Sequence, residues 1–257
     1  MGLPGSRRRG LIMALTNSSY NALPQLSSIE LFARMEEASG SRTDESDNGH
    51  TLTDVNTVGS TTGKIGTCAT MVAANQEGFS ITDDATLKPT GNFSIAAWFK
   101  HPDPAGTTRF IFQSYNSAGN INGFYFCIHD PNDNLYVKLG DFTGVTQGSD
   151  WEEIHGDTNC VDDTWTHGTF VYNGIDIRLY LNGSLDCTPV AYTAGVGYTT
   201  NTVNVGYYMA GGLHFNGEID ELILWNGAAL TAPEVTTVYD IQTLGAYKKS
   251  SSFLMFL

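Results

Sequence analysis

The feature that most constrains the fold is a stretch of alternating apolar and polar side chains. From residue 175 to residue 181 every odd position is Ile or Leu, the even positions are Asp, Arg and Tyr, and an Asn-Gly pair follows. Neighbouring side chains of a strand point to opposite faces, so this pattern predicts a strand with one buried face. Together with residues 170–172 it predicts a hairpin with its turn at residues 173–176 and Tyr172 opposite Ile177.

Six further apolar runs rich in aromatic and β-branched residues predict more strands. They are residues 93–100, 109–115, 123–129, 134–139, 166–172 and 218–225. Clusters of turn-forming residues separate these runs, and the chain holds 28 glycines. The sequence therefore predicts an all-β domain in which two antiparallel sheets pack face to face.

Two segments carry helix signals. Thr231 stands three residues before Glu234, with Pro233 between them, a capping pattern that predicts a short helix near the end of the domain. Residues 27–36 show the same spacing, but their apolar residues also alternate, so a strand and a helix both stay open there.

The charge of the chain narrows the possible partners. The formal net charge is −14, and five of the thirteen basic residues lie near the ends, at positions 7–9 and 248–249. An acidic body repels phosphate backbones, which argues against nucleic-acid binding, and it suits the recruitment of a hard cation such as calcium. No apolar run approaches the ~20 residues needed for a membrane span.

The two ends differ from the body in composition. Residues 1–20 predict a flexible arm, because the apolar run after Arg7–Arg9 is too short for a recognisable signal peptide; Met13 is an alternative start. Residues 246–257 form a polar hinge and an apolar tail, Phe253–Leu257, that we expect to dock on this chain or a neighbour. The domain between them is predicted to span residues 21–245.

Four ordered blocks, residues 35–54, 61–100, 165–183 and 215–239, resemble the laminin-G-like, concanavalin A-like jelly-roll family of lectins and glucanases. The resemblance spans about residues 29–240. It implies a two-sheet antiparallel jelly-roll sandwich with one short C-terminal helix, and it favours a strand at residues 29–35. Because this fold carries lectins, adhesion modules, glycan-active enzymes and virion proteins, the resemblance alone does not select a function.

One segment is similar to the catalytic strand of laminarinase-type enzymes of this fold, which use three carboxylates on one strand. Here Glu218 and Asp220 match, but Leu222 and Ile223 occupy the two positions that would hold the third, and Glu221 is expected on the other face. A retaining glycosidase needs two carboxylates about 5 Å apart on one face. The chain is therefore predicted not to be an enzyme.

A calcium site is predicted from Asp44, Asn48 and Asp220. Asp44 and Asn48 lie in an acidic, Gly-containing loop, and Asp220 is expected to share a partly buried strand face with Leu222 and Leu224. The resemblance implies that the first loop and the last strand meet, often around calcium. The alternative is that the loop acids only cap backbone amides.

A ligand-binding platform is predicted around Trp151, in a stretch with seven acids and no Lys or Arg between residues 141 and 163. Trp151 with Tyr198, Tyr207 and Tyr208 would stack on a sugar ring. The alternative is that Trp151 anchors a long loop. These features predict a non-catalytic recognition or adhesion module for a glycan or surface protein, at a virion surface or extracellular and in a virion or homo-oligomeric assembly; a secreted or cell-surface adhesin is the alternative.

Four cysteines leave a disulfide open. If the hairpin register continued past residue 181, residue 162 would lie opposite Cys187 and residue 189 opposite Cys160, so these two thiols would be neighbours. Four free buried thiols are the alternative.

Overall fold

The structure is a computed structural model that describes residues 20–102, 108–116, 121–129, 131–160, 163–199, 202–208 and 212–245. The predicted tail and nearly all of the predicted arm lie outside the described residues. Tyr20 is the exception to the arm prediction, because it is buried and packs edge-on against Phe32 at 5.3 Å.

The strands, in chain order, are β1 Ile29–Ala33, β2 Arg42–Thr43, β3 Thr51–Val55, β4 Gly59–Thr62, β5 Thr67–Met71, β6 Gly78–Ile81, β7 Phe93–Lys100, β8 Arg109–Asn116, β9 Asn122–His129, β10 Asn134–Asp141, β11 Trp151–Asn159, β12 Thr166–Tyr172, β13 Asp176–Leu181, β14 Ser184–Leu185, β15 Val190–Ala191, β16 Val203–Val205, β17 Tyr207–Tyr208, β18 Leu213–His214 and β19 Gly217–Asn226. Three short 3-10 turns cover Leu26–Ser28, Ala73–Asn75 and Ala85–Leu87, and one α-helix, α1, covers Ala232–Leu244.

Two antiparallel sheets form the predicted sandwich. Nine strands make the first sheet, in the order β14-β13-β12-β7-β19-β5-β4, with β1 paired to β19 and β15 paired to β13. Eight strands make the second, in the order β11-β10-β9-β8-β16-β6-β3-β2, and β17 and β18 form a separate ribbon. The main core lies between the inner faces, where β7 contributes Phe93 and Phe99 and β9 contributes Phe124 and Phe126.

A second apolar layer covers the outer face of the nine-stranded sheet. Helix α1 buries Val235, Val238 and Ile241 in this layer, against Trp225 and its neighbours. The predicted cap is present, since the Thr231 amide donates to Glu234 Oε2 at 2.8 Å. Within the described chain, no helix has the length and hydropathy of a membrane span.

Most predicted elements are confirmed. Strands β7 and β12 have the predicted bounds, the other four runs are strands with slightly wider bounds, and residues 29–33 form a strand. Tyr172 pairs with Ile177 as expected. Ile175 differs from its prediction, because it lies in the hairpin turn and is 65% exposed.

The hairpin register does not continue as far as the cysteines. The ladder between β12 and β13 ends at Gly168 and Leu181, and the chain then reverses so that β14 returns along β13. The β12–β13 ladder therefore does not extend to Cys187, and residue 162 lies outside the described residues. All four cysteines are buried and free.

The expected alternation along β19 is also wrong after Asp220. The register of β19 against β7 shifts by one residue between Asp220 and Ile223, and Glu221 has a positive φ of 52°. This β-bulge puts Leu222 and Leu224 in the main core, while Asp220 lies opposite Trp98 on the outer face. Asp220 is nonetheless fully buried.

Candidate functional site

The outer face of the eight-stranded sheet carries aromatic and charged side chains where a solvated sheet would carry small polar ones. The strands β9, β10 and β11 alternate strictly, so that Phe124, Phe126 and Ile128 point into the core and Tyr125 and His129 point outward. We call this outward surface of β9–β11 the outer aromatic face.

Cross-strand register arranges the outer aromatic face in rows. Lys138 of β10 lies between Tyr125 of β9 and Glu153 of β11. In the next row, Tyr136 lies between Cys127 and His155. Directly opposed side chains on one face of an antiparallel sheet lie within contact distance, so each row acts as a unit.

A chain of hydrogen bonds crosses the rows. The Tyr125 hydroxyl donates to the Tyr136 hydroxyl at 3.1 Å, and that hydroxyl donates to Glu153 Oε2 at 2.5 Å. The Lys138 ammonium lies 3.5 Å from the same oxygen. Burial raises the pKa of both tyrosines, and for Tyr136 the hydrogen bond to Glu153 adds to the increase, so both phenols stay protonated donors.

Rings surround this hydrogen-bonded chain. The exposed His155 ring stacks on Tyr136 with centroids 4.2 Å apart, and His129 lies 4.7 Å from Tyr136 and 5.0 Å from His155. Desolvation, and then the nearby His129, lower the pKa of His155. The imidazole of His155 is therefore neutral at neutral pH and offers a flat surface together with a polar edge.

The ribbon formed by β17 and β18 covers the side of the sheet next to the outer aromatic face. Tyr208 of the ribbon stacks on Phe110 of β8 with centroids 5.1 Å apart, and Leu213 packs in the same cluster. Phe110 meets Tyr125 edge-on at 5.2 Å. The ribbon therefore borders the outer aromatic face on the β8 side.

Trp151 borders the outer aromatic face on the β11 side, where its ring contacts both the preceding loop and Lys138. Its indole Nε1 donates to the Val145 carbonyl at 2.9 Å, which anchors the loop that precedes β11. The centroid of its partly exposed ring also lies 3.6 Å from the Lys138 ammonium nitrogen. The long loop predicted around it is wrong in part, because residues 151–159 form β11.

The four predicted platform residues are not brought together. Tyr208 lies at the ribbon border and Trp151 at the opposite one, whereas Tyr207 is buried and stacks on His214. Tyr198 donates to the Pro89 carbonyl at 2.8 Å and packs edge-on against Phe124 of the main core. Tyr198 and Tyr207 therefore pack within the domain, and burial raises the pKa of each.

Five residues of the outer aromatic face were missed by the sequence interpretation: Tyr125, Tyr136, Lys138, Glu153 and His155. The signal was present, since the predicted strands 123–129 and 134–139 place these tyrosines opposite a continuous row of apolar residues. What sequence does not provide is the pairing of β10 with β11, which brings Glu153 and His155 to the same rows.

Of the three predicted calcium ligands, Asp44 and Asn48 lie in one loop, where both contact the Ser46 hydroxyl, and Asp220 has different neighbours. Both carboxylate oxygens of Asp44 accept hydrogen bonds, from the amides of Phe32 and His50 and from the amide and hydroxyl of Ser46. The Asn48 side-chain amide donates to the Glu30 carbonyl at 3.1 Å. The capping alternative therefore accounts for Asp44.

Asp220 lies instead beside residues 63–66, where its Oδ2 accepts from the Ile65 amide at 3.1 Å. Its Oδ1 has no hydrogen-bond partner in the part of the chain that the structure describes. Nowhere in the described ranges do three or more His, Cys, Asp or Glu side chains converge as metal ligands would. The calcium site stays a prediction.

The carboxylates of the look-alike catalytic strand do not form an accessible pair. Glu218 is partly exposed and lies 3.5 Å from the Lys100 ammonium. Asp220 and Glu221 are both fully buried, and Glu221 Oε1 accepts from Arg34 at 3.3 Å. A retaining mechanism requires two carboxylates facing the same bound sugar, and these three do not provide it.

Comparison with known proteins agrees with the architecture. The family model of the concanavalin A-like lectin/glucanases superfamily matches residues 74–236, well over half of the chain. No curated protein matches the sequence.

Three solved structures illustrate the likeness of fold. The binding domain of Paraclostridial Mosquitocidal Protein 1 superposes with a TM-score of 0.66 at 15% identity, covering 83% of this chain and 52% of that one. The botulinum neurotoxin serotype D ligand-binding domain, solved with N-acetylneuraminic acid, gives 0.63 at 15% identity, covering 88% and 52%. Domain 4 of AbnA, a GH43 extracellular arabinanase from Geobacillus stearothermophilus, solved with arabinotriose, gives 0.57 at 22% identity, covering 81% and 99%. The chain thus spans about half the length of the two toxin domains.

Proposed function

The chain belongs to the concanavalin A-like lectin/glucanase superfamily, and from that premise we propose that it is a non-catalytic module that binds glycans through its outer aromatic face. The observation that carries the proposal is the combination, in two adjacent rows, of stacked rings with the hydrogen-bonded set Tyr125, Tyr136, Lys138 and Glu153. Sugar rings require such a combination, because their C–H faces stack on aromatic rings while their hydroxyls need donors and acceptors.

The pair formed by Lys138 and Glu153 is suited to a vicinal diol. An ammonium donates to one hydroxyl oxygen while the neighbouring carboxylate accepts from the other hydroxyl, and both groups keep hydrogen-bonding capacity beyond their own contact. The flanking rings of Tyr125, Trp151 and His155 supply the apolar contact.

Related structures support a glycan ligand. One neighbour of the same fold is described in complex with arabinotriose and another with N-acetylneuraminic acid. Several others are receptor- or ligand-binding domains of clostridial toxins. The geometry of the strand 217–226 supports the absence of catalysis, since its buried Asp220 and Glu221 are out of reach of a polymer.

The proposed place of action is outside the cell, on a virion surface or as a secreted or cell-surface adhesin. A partly exposed sheet face binds a single sugar weakly, with a Kd of about millimolar order. A module of this kind therefore works in many copies, on a particle or in a homo-oligomer.

The first prediction concerns Lys138→Gln and Glu153→Gln. Because each removes one charge-assisted hydrogen bond from the ligand and leaves the sheet intact, we expect glycan affinity to fall about tenfold or more in each. The measurement is a glycan array followed by titration of the best glycan.

The matched controls are Lys100→Gln and Glu218→Gln, an ion pair with the same 3.5 Å separation on the nine-stranded sheet. These two variants should bind glycan like the parent protein, and all four variants should keep the melting temperature of the parent. Parent-like binding by Glu153→Gln, or reducing-sugar release that Glu218→Gln abolishes, would contradict the proposal. Binding only to proteins on a parallel protein array would favour a protein ligand instead.

A further inference from the structure

The loop between β10 and β11 presents apolar side chains to solvent beside the outer aromatic face. Phe142 is 43% exposed and Val145 is 64% exposed. Phe142 also has a φ of 71°, in the left-handed region that a bulky side chain rarely adopts. Residues held in such a conformation are often found where a side chain must be aimed at a ligand.

The loop is fixed by hydrogen bonds at both ends. Asp141 Oδ1 accepts from the Thr143 amide at 2.7 Å, and the Phe142 amide donates to the Ile121 carbonyl at 3.0 Å. Asp150 Oδ2 accepts from the Thr146 amide at 2.9 Å, and this backbone hydrogen bond is the main cause that lowers the pKa of Asp150. The exposed positions of Phe142 and Val145 are therefore preset, and they cost little further ordering when a ligand binds.

The loop is continuous with the outer aromatic face. The Val145 carbonyl accepts from the Trp151 indole, and the Trp151 ring lies against the Lys138 ammonium. Phe142 follows Gly140 by two residues, and Gly140 is the cross-strand partner of Trp151. The loop therefore begins just beyond the row of Gly140 and Trp151, which is the row next to that of Lys138 and Glu153 on the same face.

The charge around the loop selects against an acidic ligand. Asp141, Asp150 and Glu152 surround it, and no Lys or Arg occurs in the sequence between residues 141 and 163. The nearest cation described above, Lys138, lies against Glu153. A carboxylated sugar or an anionic surface would be repelled here, whereas an uncharged ligand is tolerated.

We infer that the ligand is an uncharged glycan that contains an N-acetylhexosamine, with the acetamido methyl group in contact with Phe142 and Val145. This inference rests on the proposed function and names the ligand class of the same site. The acetamido group combines an apolar methyl with a polar amide, which matches exposed apolar side chains beside donors and acceptors.

The test compares paired glycans: oligomers of N-acetylglucosamine with oligomers of glucose, N-acetylgalactosamine with galactose, and a uronate-containing and a sialylated set. The parent protein should prefer the N-acetylated member of a pair by about fourfold, as expected from burying one methyl group. It should bind the acidic sets least.

Val145→Ser and Phe142→Ser should remove the preference, because the affinity for the N-acetylated member should fall to that for the unacetylated member. Ile175→Ser, at an equally exposed position in the hairpin turn, is the control and should keep the preference. If Phe142→Ser lowers the melting temperature, its binding result does not report on ligand contact, and Val145→Ser alone tests the inference. The inference would be overturned if the parent protein bound both members of a pair equally or bound acidic glycans more strongly. It would also be overturned if Val145→Ser lost the same affinity for both members. In each case the proposed function would remain. A parent protein that binds no glycan would overturn the proposed function itself.

Discussion

At the residue scale, Asp220 combines complete burial with a carboxylate oxygen that has no hydrogen-bond partner among the described residues. Desolvation, and then the neighbouring Glu221, raise the pKa of Asp220 from 3.8 to about 8. The folded protein therefore holds a proton on Asp220 at neutral pH, whereas the unfolded chain releases it above about pH 4. Because only the folded state keeps this proton, stability falls as the pH rises from about 4 to about 8.

A second prediction follows for Asp220→Asn in the presence of a chelator. The amide is neutral at every pH, so the variant should match the parent near pH 4 and exceed its free energy of unfolding by about 2–5 kcal/mol at pH 8. Urea unfolding at several pH values measures the difference. A constant difference between variant and parent across this range would show that Asp220 does not change protonation on folding.

At the scale of elements, the bulge in β19 shows where sequence reasoning succeeds and where it stops. The alternation of apolar and polar residues and the turn-forming Gly and Asn residues located β7, β12 and the hairpin turn correctly. Each of these patterns depends only on local sequence. The side on which Asp220 lies depends on one extra residue, Glu221, whose carboxylate accepts a hydrogen bond from Arg34 and whose carbonyl accepts one from α1. The Gln242 amide of α1, for example, donates to the Glu221 carbonyl at 2.9 Å.

The loop of residues 44–50 carries the third prediction, the calcium site of Asp44, Asn48 and Asp220. If calcium binds the folded state only, chelation should lower the melting temperature, and Asp220→Ala should remove that sensitivity. Asp240→Asn, which changes an exposed acid of α1, is the control and should retain the sensitivity of the parent. Identical melting curves in calcium and in chelator would exclude a tightly linked structural site.

At the scale of the whole molecule, the sandwich was predictable from sequence and the proposed binding face was not. The resemblance of four ordered blocks indicated the family, and apolar alternation along the chain independently predicted the strands of a two-sheet sandwich. The outer aromatic face requires Tyr125, Lys138 and Glu153 from three strands to fall in one row, and that register is set only when the sheet assembles. Trp151 stands out in the sequence as an indole among acids, whereas the packing of Tyr198 against Phe124 is not visible there.

The last prediction concerns valency. The outer aromatic face is shallow and bounded by the Tyr208 ribbon on one side and Trp151 on the other, so one copy engages about one or two sugar rings. Linking copies makes the second binding event intramolecular, and avidity can then rise by about 10²–10⁴ without a new contact. A tetramer built on a rigid scaffold should therefore bind a repeating N-acetylated glycan surface at least about a hundredfold more tightly than the monomer. The measurement is biolayer interferometry on a dense and on a sparse glycan coating.

The gain in affinity should disappear on the sparse coating, where neighbouring sites lie out of reach, and in a tetramer of Glu153→Gln, where each single contact is weakened. A tetramer that binds no better than the monomer on the dense coating would mean that the copies cannot engage together, and would contradict action as a multivalent surface module.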